Sequence, residues 1–379
     1  MLTAAETGQF ESFRPKRFAQ RYGLDPFLSL MLLLTSCFGL VVLYSASGQS
    51  EYMVFRQGMH VLVGLCLMAL LSQVRREVIV QLTPVVFLVA LVLLVAVLLF
   101  GVGAKGAQRW LDLPGLPRFQ PSELMKLALP AMVAWWLTRH PLPPRYSHLL
   151  IAAVMLVIPV GLIAKQPDLG TSIIIAGSGF FVIFLAGLSW RVLGLLCAAG
   201  LAALPVLWGV MHDYQRARVL TLLDPQSDPL GAGWNTIQAM TALGSGGLLG
   251  KGYAEGTQAQ LKFLPESHTD FIVAVIGEEL GFLGICLLLV MYGLIIGRCL
   301  LLTSRAEGHF GRLLCGSITL TFFVYVFVNL GMVSGVLPVV GVPLPLISYG
   351  GTSVVSLLVG FGLMMAMQRT NRVLSGDSS

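Results

Sequence analysis

The sequence is poor in charge. Of its 379 residues only 11% are Asp, Glu, Lys or Arg, against 56% hydrophobic, and the mean hydropathy is +0.83. A soluble domain carries about 25% charged residues, so this chain has too little charge to clothe a water-facing surface. That excludes soluble enzymes, nucleic-acid binders and disordered chains together. Other absences narrow the field further. None of the six cysteines stands in a Cys-x-x-Cys pair, and most lie within apolar runs, where cysteine behaves as a small hydrophobe. Neither a disulfide framework nor a thiolate metal site follows. There is no His-x-x-x-His or His-Glu-x-x-His spacing, and no phosphate-cradling glycine loop. Any group transfer would need a substrate that is already activated, and within a membrane that suggests a lipid-linked one.

What the sequence has instead is long apolar blocks. Residues 24–44, 85–102 and 271–297 approach or exceed the roughly 20 residues that cross a bilayer. Ten spans are predicted, over 26–45, 53–72, 78–101, 121–138, 148–164, 170–187, 190–210, 271–298, 310–334 and 346–367. The fold class is an all-α polytopic membrane protein. Arg14, Lys16, Arg17 and Arg21 precede the first span, which lacks a small-residue cleavage pattern and reads as an uncleaved span rather than a signal peptide. With both termini in the cytoplasm, the cytoplasmic segments hold fourteen of the 24 basic residues, and the bias over short loops satisfies the positive-inside rule. The net charge of +6 therefore reports topology rather than nucleic acid. Twelve of the eighteen carboxylates fall on the outer side. Carboxylates do not set topology, so they point to chemistry on the outer face.

The expected organisation is a cytoplasmic segment 1–25, spans one to seven over 26–210, an outer loop 211–270, spans eight to ten over 271–368, and a cytoplasmic tail 369–379. Within the loop, Trp234-Asn-Thr-Ile237-Gln-Ala-Met240-Thr-Ala-Leu243 is apolar every third residue, the spacing of a helix lying on the membrane surface. The irregular stretch from Leu337 to Gly351, with Pro338, Pro343 and Pro345, must sit at the rim or line a cavity, because lipid-exposed backbone cannot be irregular at membrane depth.

Few polar residues are left to carry chemistry. Asp270 opens the eighth span. Ser267-x-x-Asp270 resembles a capping box, and a carboxylate at the mouth of an outer cavity also suits a general base; a cap and a base are compatible. Glu123 and Lys126, three residues apart at the start of span four, can pair on one face. That is either a structural ion pair or, since ionisable groups inside membranes are functional by default, a holder of an anionic group. Arg109 stands beside Trp110, itself a candidate interfacial anchor. Lys165 and Asp168 share a tight outer turn, with Asp168 placed as a helix N-cap. Arg216 and Arg218 follow span seven as surface charges or anion contacts. Glu278, at i+8, shares a face with Asp270, and Glu279 is turned further round. His268 reads as a solvated loop histidine.

These residues lie in longer motifs. Gln166-Pro-Asp-Leu-Gly-Thr171, Met211-His-Asp-Tyr-Gln-Arg216, Leu223-Asp-Pro-Gln-Ser-Asp-Pro-Leu-Gly-Ala-Gly233, Gly256-Thr-Gln-Ala-Gln-Leu-Lys262, Leu264-Pro-Glu-Ser-His-Thr-Asp270 and Pro345-Leu-Ile-Ser-Tyr-Gly-Gly-Thr-Ser353 occur in this order. From about Phe27 to Arg372 the chain resembles the SEDS family (shape, elongation, division and sporulation), and its rod-shape branch more than its division branch. The resemblance implies a peptidoglycan glycosyltransferase of the bacterial cytoplasmic membrane that polymerises lipid II on the outer face. It carries the family's essential aspartate onto Asp270, its Ser-Glu-x-x-Lys pair onto Glu123 and Lys126, and its Arg-Trp element onto Arg109 and Trp110. It implies as partners a class B penicillin-binding protein and other elongation proteins, in contact with membrane lipids and without nucleic acid. Asp270 would then deprotonate the acceptor sugar, while Lys126 and Arg109, followed by Lys165, Arg216 and Arg218, meet the pyrophosphate. Glu123, Trp110 and Asp168 belong to the same binding group, and His268, Thr269, Glu278 and Ser348 are supporting candidates. A divalent ion, Mg or Mn, bridging Asp270 or Glu123 to pyrophosphate fits the chemistry, although no ligand spacing demands it. The rival readings are a lipid II flippase, a non-catalytic scaffold for the penicillin-binding protein, and an O-antigen-ligase-like transferase.

Overall fold

The computed structural model describes residues 23–104, 107–111, 119–166, 168–211, 216, 220, 224, 233–260 and 263–368. Ten long helices account for the ten apolar runs: α1 (Pro26–Ala46), α2 (Glu51–Ser72), α3 (Arg76–Phe100), α4 (Pro121–Leu137), α5 (Tyr146–Ala164), α6 (Leu169–Leu185), α7 (Trp190–Val210), α10 (Ile272–Arg305), α11 (Gly308–Val333) and α12 (Gly351–Ala366). Among the described residues of the loop before α10 lie two shorter helices, α8 (Trp234–Ser245) and α9 (Thr257–Gln260). Six helices, α1, α2, α3, α5, α10 and α11, are long and apolar enough to cross a bilayer, and α6, α7 and α12 are shorter apolar helices. The chain is a multi-pass membrane protein. The basic N-terminal residues, the tail from 369, Lys105 and most of 212–232 lie outside the described residues.

Burial sorts the helices into a centre and a rim. α4 is buried along most of its length, and 67% of the apolar window of α11 is buried, against 17% for α5 and 22% for α3. The rim helices expose large apolar side chains such as Leu99, Phe100 and Leu150, the surface expected of lipid contact. Small residues let neighbours approach closely. Gly64 of α2 abuts Leu358 and Val355 of α12, and Gly362 of α12 abuts the backbone of Met68. The central helices carry the polar residues that matter below.

Three features depart from the pattern read in the sequence. A short antiparallel hairpin, β1 (Val102–Ala104) and β2 (Ala107–Trp110), stands between α3 and α4 and is prolonged by a bridge between Leu111 and Phe119. In α8 the buried stripe is Thr236, Ala239 and Ala242, while Met240 is exposed. Small residues, together with Leu243 against Gly277, seat this helix on α10, and Met240 is left on its outer side. Finally, α10 is broken at Gly281, whose φ of 65° and ψ of −160° are outside helical space. Residues 272–280 form a buried stub on the loop side, and the 24 residues from Phe282 to Arg305 form the long arm, about 36 Å at 1.5 Å per residue. The excess length of this apolar run is the stub.

Candidate active site

Asp270 lies in a run of turns, residues 265–271, that leads into α10. The helix begins one residue later than a cap at Asp270 requires: its N-cap is Phe271, without a side-chain bond. The expected capping box is absent because Ser267 Oγ donates instead to the carbonyl of Ala46, 3.0 Å away at the end of α1. Thr269 Oγ1 folds back onto Glu266 Oε2 at 2.9 Å. The carbonyls of 268–270 are received by the α11–α12 region. Tyr349 N donates to His268 O at 2.9 Å, Ser348 Oγ to Thr269 O at 2.5 Å, and Asn329 Nδ2 to Asp270 O at 3.0 Å. The rings of His268 and Tyr349 meet edge to face at 6.1 Å, so His268 is packed rather than merely solvated. The Asp270 carboxylate faces Gly341, whose φ is +73°; a methyl there would sit 3.6 Å from Asp270 Oδ2.

Two further charged groups flank the same loop. The hairpin sets Arg109 beside the start of α6, with its Nε 3.6 Å from Asp168 Oδ2. Gln120 Nε2 donates to that oxygen at 3.3 Å, and Asp168 Oδ1 caps Thr171 N at 3.3 Å, so the N-cap reading of Asp168 holds and a cation sits on it as well. Gly170, two residues on, packs directly on the carbonyl of Val340, beside Gly341. On the other flank, Lys126 Nζ lies 2.7 Å from Glu123 Oε1, and Ser356 Oγ donates to Glu123 Oε2 at 2.6 Å. Both oxygens of Glu123 are thereby engaged, and Lys126 lies 5.3 Å from the Tyr325 ring centre. Tyr325 packs with Ile174 and Val342. Lys126, Tyr325 and Ser356 border a cleft of about 420 Å³, open mouth included, between α4, α11 and α12. The loop 338–348 is the hub to which Asp270, the Arg109–Asp168 pair and, through Tyr325, Lys126 are all attached.

Other candidates go elsewhere. Arg216 folds onto the end of α7, donating to the carbonyls of Trp208 at 3.0 Å and Gly209 at 2.8 Å, the use of a cation expected at a helix C-terminus. Arg218 lies outside the described residues. Lys165 caps α5 with an exposed side chain, and Trp110 is half-buried beside Arg109. Glu278 is fully buried but serves a different construction, since Asp270 precedes the helix and the i+8 face relation does not reach it. It accepts from Lys251 Nζ at 2.7 Å, Thr257 Oγ1 at 2.9 Å and Gln258 N at 3.1 Å. Glu279 accepts from Ser45 Oγ of α1. Missed by sequence reasoning were Asn329, Gln57, Tyr325, Ser356 and Gly341. A usable signal existed for Asn329, one amide in an otherwise apolar span.

Known proteins are similar throughout. The family model described as cell cycle protein, for FtsW, RodA and SpoVE, matches residues 26–373. The chain is 51% identical over 361 residues to the peptidoglycan glycosyltransferase MrdB of Escherichia coli K12, covering 95% of this chain and 97% of that protein. It is 36% identical to a probable peptidoglycan glycosyltransferase FtsW of Trichlorobacter lovleyi, covering 93% and 94% of the two chains. Among solved structures, a chain of a peptidoglycan synthase complex that coordinates polymerization and crosslinking superposes with a TM-score of 0.80 at 33% identity, covering 91% of this chain and 97% of that one. The rod shape determining protein RodA of Thermus thermophilus gives 0.69 at 30% identity, covering 91% and 96%.

Proposed function

The chain belongs to the cell cycle protein family of FtsW, RodA and SpoVE, and from that premise we propose that it extends glycan strands from lipid II at the site around Asp270. It is a peptidoglycan glycosyltransferase. The observation that carries the assignment of the site is the convergence of a carboxylate, the Arg109–Asp168 pair and Lys126 on the single loop 338–348.

The chemistry follows from these positions. Asp270 takes the proton from the 4-hydroxyl of the acceptor GlcNAc as that oxygen attacks the anomeric carbon of the donor MurNAc. The bond to undecaprenyl pyrophosphate breaks, and the α-linked lipid gives a β-1,4 glycan with inversion. Negative charge grows on the departing pyrophosphate, where Lys126 and Arg109 stabilise it. Glu123, fixed by Ser356, holds Lys126 in place; Asp168 does the same for Arg109. Arg216, spent on the end of α7, and the exposed Lys165 are weaker candidates for the anion. Among the described residues no three His, Cys, Asp or Glu side chains form a metal site. Of the two carboxylates that would hold a Mg or Mn ion, Asp270 or Glu123, Glu123 has both oxygens engaged by Lys126 and Ser356; the ion would supply neutralisation of the leaving group's charge, and no step above depends on it. The site faces outward with both termini in the cytoplasm, and a class B penicillin-binding protein of the elongation machinery supplies crosslinking and activates the polymerase.

The test is polymerisation of labelled lipid II in detergent by the purified protein with its penicillin-binding partner. Asp270→Asn should abolish glycan strands at normal protein levels. Undiminished polymerisation by that variant would remove Asp270 from the reaction, whereas failure of the parent protein itself to form glycan strands would leave flipping of lipid II as the use of the site.

A further inference from the structure

We propose that Asn329 is a positioning residue that fixes the turn carrying the Asp270 carboxylate, and that Gln57 holds the same turn through Ser348; the proposal rests on the reading of Asp270 as the base. The N-cap of α10 is Phe271, so the carbonyls of His268, Thr269 and Asp270 lie before the helix. Each is nonetheless caught, in order, by Tyr349 N, Ser348 Oγ and Asn329 Nδ2. Three consecutive carbonyls held from one side leave the backbone at Asp270 a single course.

Asn329 is fully buried, and its amide nitrogen donates a second bond to Val342 O at 2.7 Å. Both acceptors are carbonyl oxygens, so the NH2 group must face them. Its Oδ1 has no hydrogen-bond partner. The two bonds of its nitrogen fix the geometry of the site. That nitrogen ties the turn bearing Asp270 to Val342, one residue beyond the Gly341 that the carboxylate faces.

Gln57, only 1% exposed on α2, straddles the same loop from behind. Its Nε2 donates to Ser348 O at 3.2 Å, and its Oε1 accepts from Gly350 N at 3.3 Å. Ser348 in turn receives Leu344 N at 2.9 Å, which aims its hydroxyl at Thr269. Gln57 thus touches neither Asp270 nor substrate, and its effect passes through the Ser348–Tyr349 segment.

A misplacement of about 1 Å at a reacting group costs on the order of 10²-fold in rate. The experiment uses the full-length protein with its penicillin-binding partner and labelled lipid II. It measures kcat and KM for Asn329→Leu, Gln57→Met and Asp270→Asn, with monodispersity checked by gel filtration. Asn329→Leu is expected to lower kcat about 10²-fold with KM within twofold of the parent. Gln57→Met, which acts one step away through Ser348, is expected to lower kcat about tenfold, again without change in KM. A purely structural role would instead reduce the fraction of active molecules and leave kcat per active site intact. Parental kcat per active site in either variant overturns the proposal; if Asn329→Leu does not accumulate, Gln57→Met decides alone. An active Asp270→Asn protein would sink the underlying reading as well, whereas an inactive one beside fully active Asn329→Leu refutes the positioning role only.

Discussion

The clasp at the break in α10 yields a prediction whose size can be worked out. At Gly281 the helix stops using its own hydrogen bonds, and the loop replaces them: Lys251 N donates to Glu278 O, Gly252 N to Glu279 O, Phe282 N to Gly247 O and Leu283 N to Leu248 O, at 2.9–3.2 Å. Glu278 holds this loop by its carboxylate, with a side chain 1% exposed against 30% for its partner Lys251. Lys251→Met strands a buried charge, a loss of about 3–5 kcal/mol for a bare pair. Thr257 Oγ1 and Gln258 N still bond the carboxylate, which puts the expectation at the lower end, about 3 kcal/mol. Glu278→Gln leaves a lysine that can turn to water and costs about 1 kcal/mol. The double variant has no charge to strand and should lose about 1–1.5 kcal/mol, giving a coupling of roughly 2–3 kcal/mol. The assay is hydrogen exchange at the amides of Lys251, Gly252, Phe282 and Leu283, which report local opening. Exchange should speed up by roughly 100-fold in Lys251→Met, a few-fold in Glu278→Gln, and about tenfold in the double variant. Unchanged exchange in Lys251→Met, or strictly additive effects, would refute the clasp.

Two other predictions concern the flanks of the loop. Glu123→Gln leaves Lys126 unpaired inside the bundle and should lower stability by about 3–5 kcal/mol, whereas Ser356→Ala removes one bond to a charged group and should cost about 1.5–3 kcal/mol; thermal denaturation in detergent checks the order, and a reversed order counts against the pair. Gly341→Ala forces a side chain into a left-handed backbone, at about 1–2 kcal/mol, and sets a methyl 3.6 Å from Asp270 Oδ2. Its lipid II turnover should fall more than its melting temperature accounts for, and parental turnover would show that the carboxylate does not work at that spot.

The helices were legible because each is a block of apolar residues long enough to read without neighbours. The Glu123–Lys126 pair was legible for a similar reason: three residues on one helix fix the distance. What escaped depends on partners far along the chain. Nothing local marks Gly281 as a break, since a single glycine sits in many helices; the break exists because residues 247–252, thirty positions earlier, offer substitute bonds. The hairpin at 102–110 is likewise visible only as pairing. Glu278 was drawn toward Asp270 by helical periodicity, and periodicity fails where the helix has not begun. Gln57 went unread because its bonds are to Ser348 and Gly350, nearly three hundred residues away.

The loop 338–348 explains why irregular backbone is tolerated in such a place. Its polar groups are met by side chains from three different helices: Val342 O by Asn329 of α11, Pro345 O by Tyr292 of α10 at 2.6 Å, and Ser348 O by Gln57 of α2. Tyr292 is only 1% exposed, so its hydroxyl has no water to turn to and its bond to Pro345 is its natural partner. Between these anchors Leu346 is held at φ +65° while buried, a conformation that costs a branched residue about 1–2 kcal/mol and persists only where surrounding contacts over-determine it. The same contacts end on the carbonyls that precede α10. A shift of α2 or α11 against α10 would therefore have to break a bond to this loop or carry Asp270 along with it. Spans that look like plain membrane anchors are thus mechanically part of the site. Substitutions deep in α2 that leave every charged residue untouched are accordingly expected to act on turnover through Ser348 before they act on folding.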